Sequence, residues 1–297
     1  MEIFKGQNLL NLVKELPDDE SCKAYLSKIK WSNGFTCVKC GHQKGCLKTN
    51  HSYYCYNCEH VESSTANTLF HKVKFGLQKA FMIVFEMTTS TKSISSIQMG
   101  KRYGISQPTA WGFMHKVRIA MQSSEQYPMT ETVHVDEFVV GGYEQDKPGR
   151  SYDSKKTKAV IAVELNTQSK VKRAYVKCID DYSAKSLTTI FEQHISQDAN
   201  VVTDKWRGYN PLKKKYNITQ KESDKGANFK ELHVIIHQLK SWIRTVPSHI
   251  HKKYIQAYFN EFVYRLNRSL FKETIFHNTI VKMVKAKPTS LNMINGS

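Results

Sequence analysis

Four cysteines in the first quarter of the chain have the spacing of a zinc site. Cys37 and Cys40 form one C-x-x-C pair, and Cys55 and Cys58 form a second pair after fourteen intervening residues. A C-x-x-C turn brings two thiolates to one tetrahedral ion, and two such pairs complete a closed structural site. The spacing therefore predicts a bound zinc ion, and a chance pairing of buried or redox cysteines is the alternative.

The residues around these pairs must position the four thiolates. Gly41 follows the first pair and supplies backbone freedom for the turn, and residues 52–54 can contribute to a short hairpin. A segment this small has too little core to fold without metal. We therefore expect a zinc ribbon. Cys22, Cys46 and Cys178 fit no metal pattern and are expected to be ordinary buried thiols.

Asp136 and Asp204 are the candidate ligands of a second metal site. Asp136 lies in Thr132–Val140, a predicted strand followed by Gly141 and Gly142, and Asp204 directly follows a short apolar strand, Asn200–Thr203. Two further strands are predicted over 158–165 and 171–179, and a helix over 183–195. This β-β-β-α-β order matches the ribonuclease-H-like core, whose first and fourth strands are neighbours. The two aspartates are therefore expected to lie side by side.

Two carboxylates at the ends of adjacent strands can hold a pair of Mg²⁺ ions. Mg²⁺ prefers hard oxygen ligands and keeps water or phosphate oxygens in its other positions. Such a pair of ions is suited to phosphoryl transfer. Taken singly, each aspartate would be an ordinary strand-end residue, and only the predicted strand order favours the catalytic interpretation. Glu137 is a weaker candidate, because alternation points it to the opposite face of the strand.

A third ligand is expected from a later helix, predicted over 228–244. Its apolar residues form a stripe at helical spacing, and a polar stripe runs beside it. The polar stripe consists of His233, His237, Lys240 and Arg244. An isolated histidine at a helix edge is more often structural than metal-binding, so spacing alone leaves the role of His233 open.

Between the two metal sites, the sequence has the pattern of a helix-turn-helix. Helices are predicted over 77–87 and 93–103, and a third is predicted after Gly104, with Ser106 as its N-cap. In this motif the start of the later helix enters the major groove of DNA. The candidate DNA contacts are Arg102, Ser106, Gln107, Thr109, His115 and Lys116. A plain helical hairpin with a basic face is the alternative.

The composition indicates a folded protein that binds a polyanion. The chain has 297 residues, 40% of them hydrophobic, and its 44 Lys and Arg against 26 Asp and Glu give a net charge of +18. Such an excess favours nucleic acid over a small acidic metabolite and excludes the acidic and disordered classes. No apolar run approaches the roughly 20 residues of a membrane helix, and the first residues lack a signal-peptide pattern. We therefore expect no membrane partner and a cytoplasmic protein.

The motifs, taken in order, resemble those of the zinc-ribbon insertion-sequence transposases, over about residues 31–268. The motifs are Trp31-x-x-Gly34-x-x-Cys37-x-x-Cys40, Tyr54-Cys55-x-x-Cys58, Ser95-Ser96-Ile97-Gln98, Thr109-Ala110-Trp111, Val135-Asp136-Glu137, Thr203-Asp204-x-Trp206-x-Gly208-Tyr209 and Tyr258-x-x-Glu261-Phe262-x-Tyr264-Arg265-x-Asn267-Arg268. The resemblance implies a DDE-type DNA transposase. Such an enzyme cuts the ends of its element and joins their 3′-hydroxyls to target DNA, using Mg²⁺ or, as a substitute, Mn²⁺.

The resemblance also implies a fold and a set of roles. The fold is α/β, a ribonuclease-H-like mixed-sheet catalytic core preceded by a small zinc ribbon and a helix-turn-helix region. Asp136 and Asp204 match the first two metal ligands. The expected partners are double-stranded DNA, both element ends and target, and further copies of the chain in a dimer or higher oligomer on that DNA. The resemblance also implies a nucleoid-associated protein of a prokaryotic cell.

The third metal position departs from the usual DDE pattern. That pattern has a glutamate with a lysine or arginine seven residues later, whereas here His233 lies seven residues before Lys240. The resemblance therefore implies His233 as the third ligand, with Lys240 and Arg244 contacting DNA phosphates. Glu231 and Glu261 remain alternatives. Imidazole is uncharged and softer than carboxylate, so Mg²⁺ should bind more weakly than in a site with three carboxylates.

These expectations divide the chain into five parts. They are an N-terminal helical segment (1–30), the zinc ribbon (31–70), the helix-turn-helix region (71–127), the catalytic core (128–270) and a basic C-terminal tail (271–297). Two other functions stay open. The first is a DNA-binding regulator in which the core is only a scaffold, and the second is a metal-dependent nuclease of the same fold.

Overall fold

The chain forms two compact units. The computed structural model describes residues 3–141, 156–246 and 250–296, so Gly142 of the predicted glycine pair lies outside the described residues. One unit contains residues 1–121 and 270–297, and the other contains residues 122–269. The second unit is thus inserted in the chain between two parts of the first.

The first unit begins with two helices and a small sheet. Helix α1 spans Leu9–Glu15 and α2 spans Asp19–Lys30. Asp18 and Ser21 form a capping box at the start of α2, which satisfies two of its free backbone N–H groups. The antiparallel sheet that follows has the order β1-β2-β3. Its strands are β1 (Gly45–Leu47), β2 (Tyr53–Cys55) and β3 (Val61–Glu62).

Three helices follow the sheet: α3 (Leu77–Thr89), α4 (Ser96–Tyr103) and α5 (Gln107–Ala120). Ser95 caps α4 by accepting a hydrogen bond from the Gln98 N–H, so α4 begins at Ser96 and not at the predicted residue 93. Gly104 ends α4 in the left-handed conformation at φ +62°. Ser106 caps α5, as predicted.

The structure has a packed helix where the sequence suggests a basic tail. Helix α9 spans Ile275–Lys285, and its Ile275, Phe276, Ile280 and Met283 side chains are buried among α2, α3 and α5. Their successive spacings of one, four and three residues are those of one face of an amphipathic helix, and the lysines of this segment obscure the pattern. A short last helix, α10, spans Leu291–Asn295. Residues 275–285 are therefore part of the first unit's core.

The second unit is built on a mixed five-stranded sheet with the order β6-β5-β4-β7-β8. Its strands are β4 (Thr132–Val140), β5 (Thr157–Leu165), β6 (Val171–Ile179), β7 (Asn200–Thr203) and β8 (Ile218–Gln220). The first three strands form an antiparallel meander, and β7 pairs parallel to both β4 and β8. The predicted fold class, a ribonuclease-H-like α/β core, is confirmed.

Helices cover both faces of this sheet. Helix α6 (Ala184–His194) and the 3₁₀ helix Arg207–Lys214 pack on one face, and α7 (Lys230–Arg244) and α8 (Ile255–Leu266) pack on the other. On β4, Phe138 points to the α7 side, whereas Val133 and Val135 point to the α6 side. Alternation therefore places the Asp136 side chain on the face covered by α7.

Helix α8 also pairs with the edge strand β6 through a side-chain amide. Asn267, just after α8, accepts a hydrogen bond from the Ala174 N–H at 2.8 Å and donates one to the Ala174 carbonyl at 2.9 Å. These bonds satisfy backbone groups that an edge strand would otherwise expose. Among the helices of the described ranges, none is long and apolar enough to cross a membrane.

Candidate zinc and catalytic sites

The thiols of Cys37, Cys40, Cys55 and Cys58 converge on one point. Their Sγ atoms all lie within 4.8 Å of one another. The Sγ atoms of Cys37 and Cys58 are 3.5 Å apart, and those of Cys40 and Cys55 are 3.6 Å apart. Four sulfurs at the usual Zn–S distance in a tetrahedron are separated by about 3.8 Å. The arrangement therefore fits one zinc ion, as the spacing predicts.

The two C-x-x-C turns share one backbone pattern. In the first turn the Gly41 N–H donates to the Cys37 carbonyl, and the Cys37 N–H donates to the His42 carbonyl. The second turn repeats these bonds at Cys55, with Glu59 and His60 as the partners. The residue at the fourth position has a positive φ in both turns, +74° at Gly41 and +58° at Glu59. A hydrogen bond from the His42 backbone lowers the pKa of Cys40 to about 6. In the same cluster a hydrogen bond from the His60 backbone lowers the pKa of Cys58, but burial and the neighbouring thiols outweigh it and raise that pKa to about 12. Of these two thiolates, only that of Cys40 is therefore favoured at neutral pH before the metal binds.

Asp136 and Asp204 lie at neighbouring positions of the sheet. Strands β4 and β7 run parallel with Val135 opposite Thr203, and an aspartate follows each of these two residues. Asp204 directly follows the end of β7 as expected, whereas Asp136 lies in the middle of β4, so the expected strand-end position is wrong for Asp136. The Asp136 Oδ1 accepts a hydrogen bond from the Glu137 N–H at 2.8 Å, and the Asp204 Oδ1 accepts one from the Trp206 N–H at 2.9 Å. These bonds orient both carboxylates, and the predicted pairing of the two strands is confirmed.

Helix α7 brings the His233 imidazole to the same place. The His233 Nε2 lies 3.9 Å from the Asp136 Oδ2. That nitrogen is buried and makes no hydrogen bond within the described residues. Burial, together with the nearby Lys240 charge, lowers the pKa of His233. A neutral imidazole nitrogen beside the Asp136 carboxylate is a pair of donors that a divalent metal ion can use.

Gly226 leaves the space that this imidazole occupies. A Cβ atom on Gly226 would lie 3.1 Å from the His233 Cδ2 and 3.4 Å from its Nε2. Gly226 also has a φ of +97°, a conformation that other residues rarely adopt. The residue lies in a 3₁₀ helix, Asp224–Phe229, that leads into α7. This glycine is a functional candidate that sequence reasoning missed.

Lys240 contributes positive charge beside Asp136. Burial lowers the pKa of Lys240, the charges of Arg244 and Lys156 lower it further, and the Asp136 carboxylate opposes them. The Lys240 Nζ lies 5.8 Å from the centre of the Phe138 ring. Lys240 therefore interacts with two other cations, Arg244 and Lys156, and with one carboxylate, that of Asp136. Lys156 was not predicted, because its proximity follows from the pairing of β5 with β4.

The two alternative third ligands have other surroundings. Glu261 is buried on α8, where its Oε1 lies 3.7 Å from the Arg265 Nη1, and α8 packs on β6, two strands away from β4. Glu231 lies near His134. Burial lowers the pKa of His134, and the Glu231 charge opposes that shift in part. Of the three candidate third ligands, His233 is the one that lies within 4 Å of the Asp136 carboxylate in the described part of the chain.

Comparison with known families gives two matches along the chain. Residues 128–267 match the family model of the ISXO2-like transposase domain, and residues 17–61 match that of the transposase zinc-ribbon domain. The chain is an insertion-sequence transposase with an N-terminal zinc ribbon. The zinc-ribbon match includes α2, so the conserved module of this transposase extends beyond the four cysteines. A comparison with curated proteins gives no match.

The segment after Asp204 forms a tight turn beside the two aspartates. The Trp206 Nε1 donates to the Tyr182 carbonyl at 2.9 Å, and a Cβ on Gly208 would lie only 2.8 Å from that carbonyl oxygen. The glycine therefore lets the chain turn tightly over the tryptophan. The turn carries Tyr209, which is fully buried near the carboxylates.

Tyr209 and Glu137 lie on the opposite face of the sheet from the Asp136 side chain. Burial, followed by the Glu137 charge and those of Asp136 and Asp204, raises the pKa of Tyr209 well above its usual value. Its hydroxyl therefore stays protonated. Tyr209 is a second residue that we did not predict, although it lies in a motif that carries the resemblance. The predicted opposite orientation of Glu137 agrees with this contact.

Most of the candidate DNA contacts lie on an exposed surface at the start of α5. Gln107 and Thr109 are exposed. The Gln107 Nε2 donates to the Ser96 Oγ at 2.9 Å, and the Ser106 Oγ lies 2.8 Å from the Thr109 Oγ1. Arg102 forms an ion pair with Glu86 on α3. Arg102, Ser106, Gln107 and Thr109 are all exposed at the surface.

His115 does not belong to that surface. Only 3% of it is exposed, its ring lies 4.2 Å from the Trp111 ring, and burial lowers its pKa to about 3. The expectation of a DNA contact at His115 is therefore wrong, because the residue lies on the packed side of α5. Lys116 is half-buried, and burial lowers its pKa.

The remaining cysteines are outside the zinc cluster. Burial raises the pKa of Cys22 and that of Cys178 to about 12. Cys22 is buried, as predicted, whereas Cys178 is only partly buried, so the expectation of a buried thiol is wrong at that position. Cys46 is partly exposed on β1.

Proposed function

We propose that this transposase binds the terminal inverted repeats of an insertion sequence, cuts the DNA at them and joins the 3′-hydroxyls to target DNA. The observation that supports the proposal is that Asp136 and Asp204 occupy neighbouring sheet positions and that His233 approaches Asp136. Asp136 lies within β4 and Asp204 directly follows the neighbouring parallel strand β7, and the His233 Nε2 lies 3.9 Å from the Asp136 Oδ2. Such a set suits the metal-dependent phosphoryl transfer that transposition needs.

In the proposed reaction, Asp136, Asp204 and His233 hold divalent ions, with Mg²⁺ as the expected metal. When bound, the ions activate the attacking oxygen and stabilise the leaving oxygen. Lys240, Arg244 and Lys156 place positive charge where a DNA phosphate gains negative charge in the transition state. The lowered pKa of His233 keeps its imidazole neutral and able to coordinate. An imidazole ligand should also make Mn²⁺ an effective substitute.

Recognition of the DNA is assigned to the first unit. Gln107 and Thr109 at the start of α5 are proposed to reach base edges in the major groove, and Ser106 and Arg102 to contact the backbone. Joining two element ends requires two active sites, so we propose a dimer or a higher oligomer assembled on DNA. In the cell, the net charge of +18 would keep the protein on chromosomal DNA.

The substrate comes from the DNA on both sides of the reading frame. Inverted repeats bracketed by a short direct duplication would supply the element ends. Labelled duplexes that carry those ends, with a target plasmid and Mg²⁺, then report binding, cleavage and joining separately. We expect Asp136→Asn and Asp204→Asn to slow cleavage by about 100-fold or more, because metal stabilisation of the transition state is worth several kcal/mol.

A matched control and three contrary outcomes make the test decisive. Glu222→Gln also removes one carboxylate, but from an exposed ion pair with Lys205, and it should leave cleavage unchanged. Cleaved ends without joined products would indicate a nuclease of the same fold. Repeat-specific binding without cleavage, unchanged by Asp136→Asn, would indicate a regulator. Normal cleavage by His233→Ala would remove His233 from the ligand set.

A further inference from the structure

The zinc-ribbon sheet has an outer face whose side chains are exposed or partly exposed. Antiparallel register pairs Cys46 with Tyr54, and Tyr54 with Val61. Residues directly opposite each other point to the same side of a sheet. The alternation along β1 adds Lys44 and Lys48 to that side. We call these residues, with Tyr56, the ribbon face: Lys44, Cys46, Lys48, Tyr54, Tyr56 and Val61.

The opposite side of this sheet is packed. A Cβ on Gly45 would lie 3.1 Å from the Tyr53 ring and 3.2 Å from the Phe35 ring. Those two rings stack on each other at 4.1 Å, and Trp31 packs against Tyr53 at 5.1 Å. The apolar core of the ribbon is therefore complete without the ribbon face. The aromatic residues of the outer side need another explanation.

Cations and aromatic rings alternate on the ribbon face. The Lys48 Nζ lies 4.8 Å from the centre of the Tyr54 ring, and the Tyr54 and Tyr56 rings are 6.1 Å apart. Tyr56 is 59% exposed, and Val61 is 45% exposed. The Tyr56 N–H donates to the Lys44 carbonyl, which places exposed Lys44 beside Tyr56. Glu59 is the acidic neighbour of Tyr54.

We propose that the ribbon face binds the sugar-phosphate backbone of double-stranded DNA, as a second DNA-contacting surface besides the start of α5. Lys44 and Lys48 would pair with phosphates, the Tyr54 and Tyr56 hydroxyls would donate to phosphate oxygens, and Val61 would contact deoxyribose. Backbone contacts of this kind position a protein without reading sequence. The inference rests on the DNA binding in the proposed function and adds a surface to it.

The test compares two variants of equal charge in the full-length, zinc-loaded protein. Lys44→Ala/Lys48→Ala removes the two cations of the ribbon face. Lys14→Ala/Lys28→Ala removes two exposed cations from α1 and α2 and is the control. Fluorescence anisotropy measures the Kd for a duplex with the terminal repeat and for a scrambled duplex of the same length, over a range of salt concentrations.

We expect the ribbon-face variant to weaken binding to both duplexes by the same factor, about 10-fold near physiological salt. The slope of log affinity against log salt should fall by about two, one for each lost phosphate contact. The control variant should bind nearly as wild type. Zinc content, measured on each protein, shows that the ribbon is intact.

A second substitution should improve binding. Glu59→Gln removes the acidic neighbour of Tyr54 and should tighten the Kd for both duplexes about two- to threefold. Loss of structure cannot produce such a gain. Tyr56→Phe should weaken both duplexes slightly, because it removes one hydroxyl donor and keeps the ring.

Three outcomes would overturn the inference. Equal effects of the ribbon-face and control variants would show that the ribbon face does not contact DNA, and normal end cleavage by the same variant would leave the proposed function standing. Weaker binding of the repeat duplex alone would mean base recognition, which contradicts a backbone contact. Failure of wild type to bind either duplex would overturn both proposals together.

Discussion

Replacing Gly226 with alanine tests whether the placement of the His233 imidazole controls metal binding. The new Cβ would lie 3.1 Å from the His233 Cδ2 and 3.4 Å from its Nε2, so the imidazole must move by a few tenths of an ångström. That nitrogen is the atom beside the Asp136 carboxylate. A non-glycine residue at a positive φ such as +97° also costs about 1–2 kcal/mol. The substitution should therefore lower both metal affinity and stability.

The two effects separate in a double-mutant cycle with His233→Ala. Mn²⁺ binding to the zinc-loaded protein, followed by electron paramagnetic resonance, should weaken about 10-fold in Gly226→Ala, the lower end for displaced support of a metal ligand. In the His233→Ala background there is no imidazole to displace. In that background, Gly226→Ala should still lower the unfolding free energy by about 1–2 kcal/mol, because the backbone strain remains. It should cause no further loss of Mn²⁺ affinity.

Two results would refute this reasoning. An unchanged Mn²⁺ affinity in Gly226→Ala would show that the imidazole position does not matter to the metal. An equal loss of affinity with and without His233 would show that Gly226 acts through the backbone around Asp136 and Asp204. Either result would weaken the assignment of His233 as the third ligand.

Three further predictions concern the stability of the two units. Chelation of zinc at neutral pH should abolish hydrogen-exchange protection in β1–β3 and leave β4–β7 protected, since only the ribbon depends on the metal. Deletion of residues 271–297 should unfold the first unit, seen as lost exchange protection in α3 and lost DNA binding, because it removes the buried apolar face of α9. His194, 6% exposed and stacked on Tyr175 at 3.9 Å, has its pKa lowered to about 4 by burial. The unfolded histidine titrates near 6.5, so the unfolded state binds more protons between these values. The unfolding free energy should then fall by up to about 3 kcal/mol as the pH drops from 6.5 to 4, and His194→Phe should flatten that dependence in denaturant titrations at several pH values.

The sequence predicted best what local patterns determine. The bounds of β4, β6 and β7 agree with the structure, because alternation and turn residues mark a strand within a few positions. Helix α7 begins at Lys230 and not at the predicted residue 228, because a 3₁₀ turn precedes it. The zinc cluster followed from spacing alone.

What the sequence could not predict depends on packing between distant segments. His115 is polar, yet the Trp111 ring and the rest of α5's packed side bury it. The role of Gly226 becomes visible only when the loop before α7 is placed against His233. Lys156 is near Lys240 because of sheet register, and no local pattern indicates it.

The register between β4 and β7 is what creates the proposed catalytic site. Val135 lies opposite Thr203, so both strands reach an aspartate at the next position. A slip of one residue would place Val135 or Glu137 beside Asp204, and either side chain points to the face away from α7. His233 could then approach only one carboxylate. The packing of Val133 and Val135 against α6, and of Phe138 against α8, makes such a slip costly because it would expose apolar side chains. The hydrophobic core of the second unit therefore holds the ligand set together, although none of its members is a ligand.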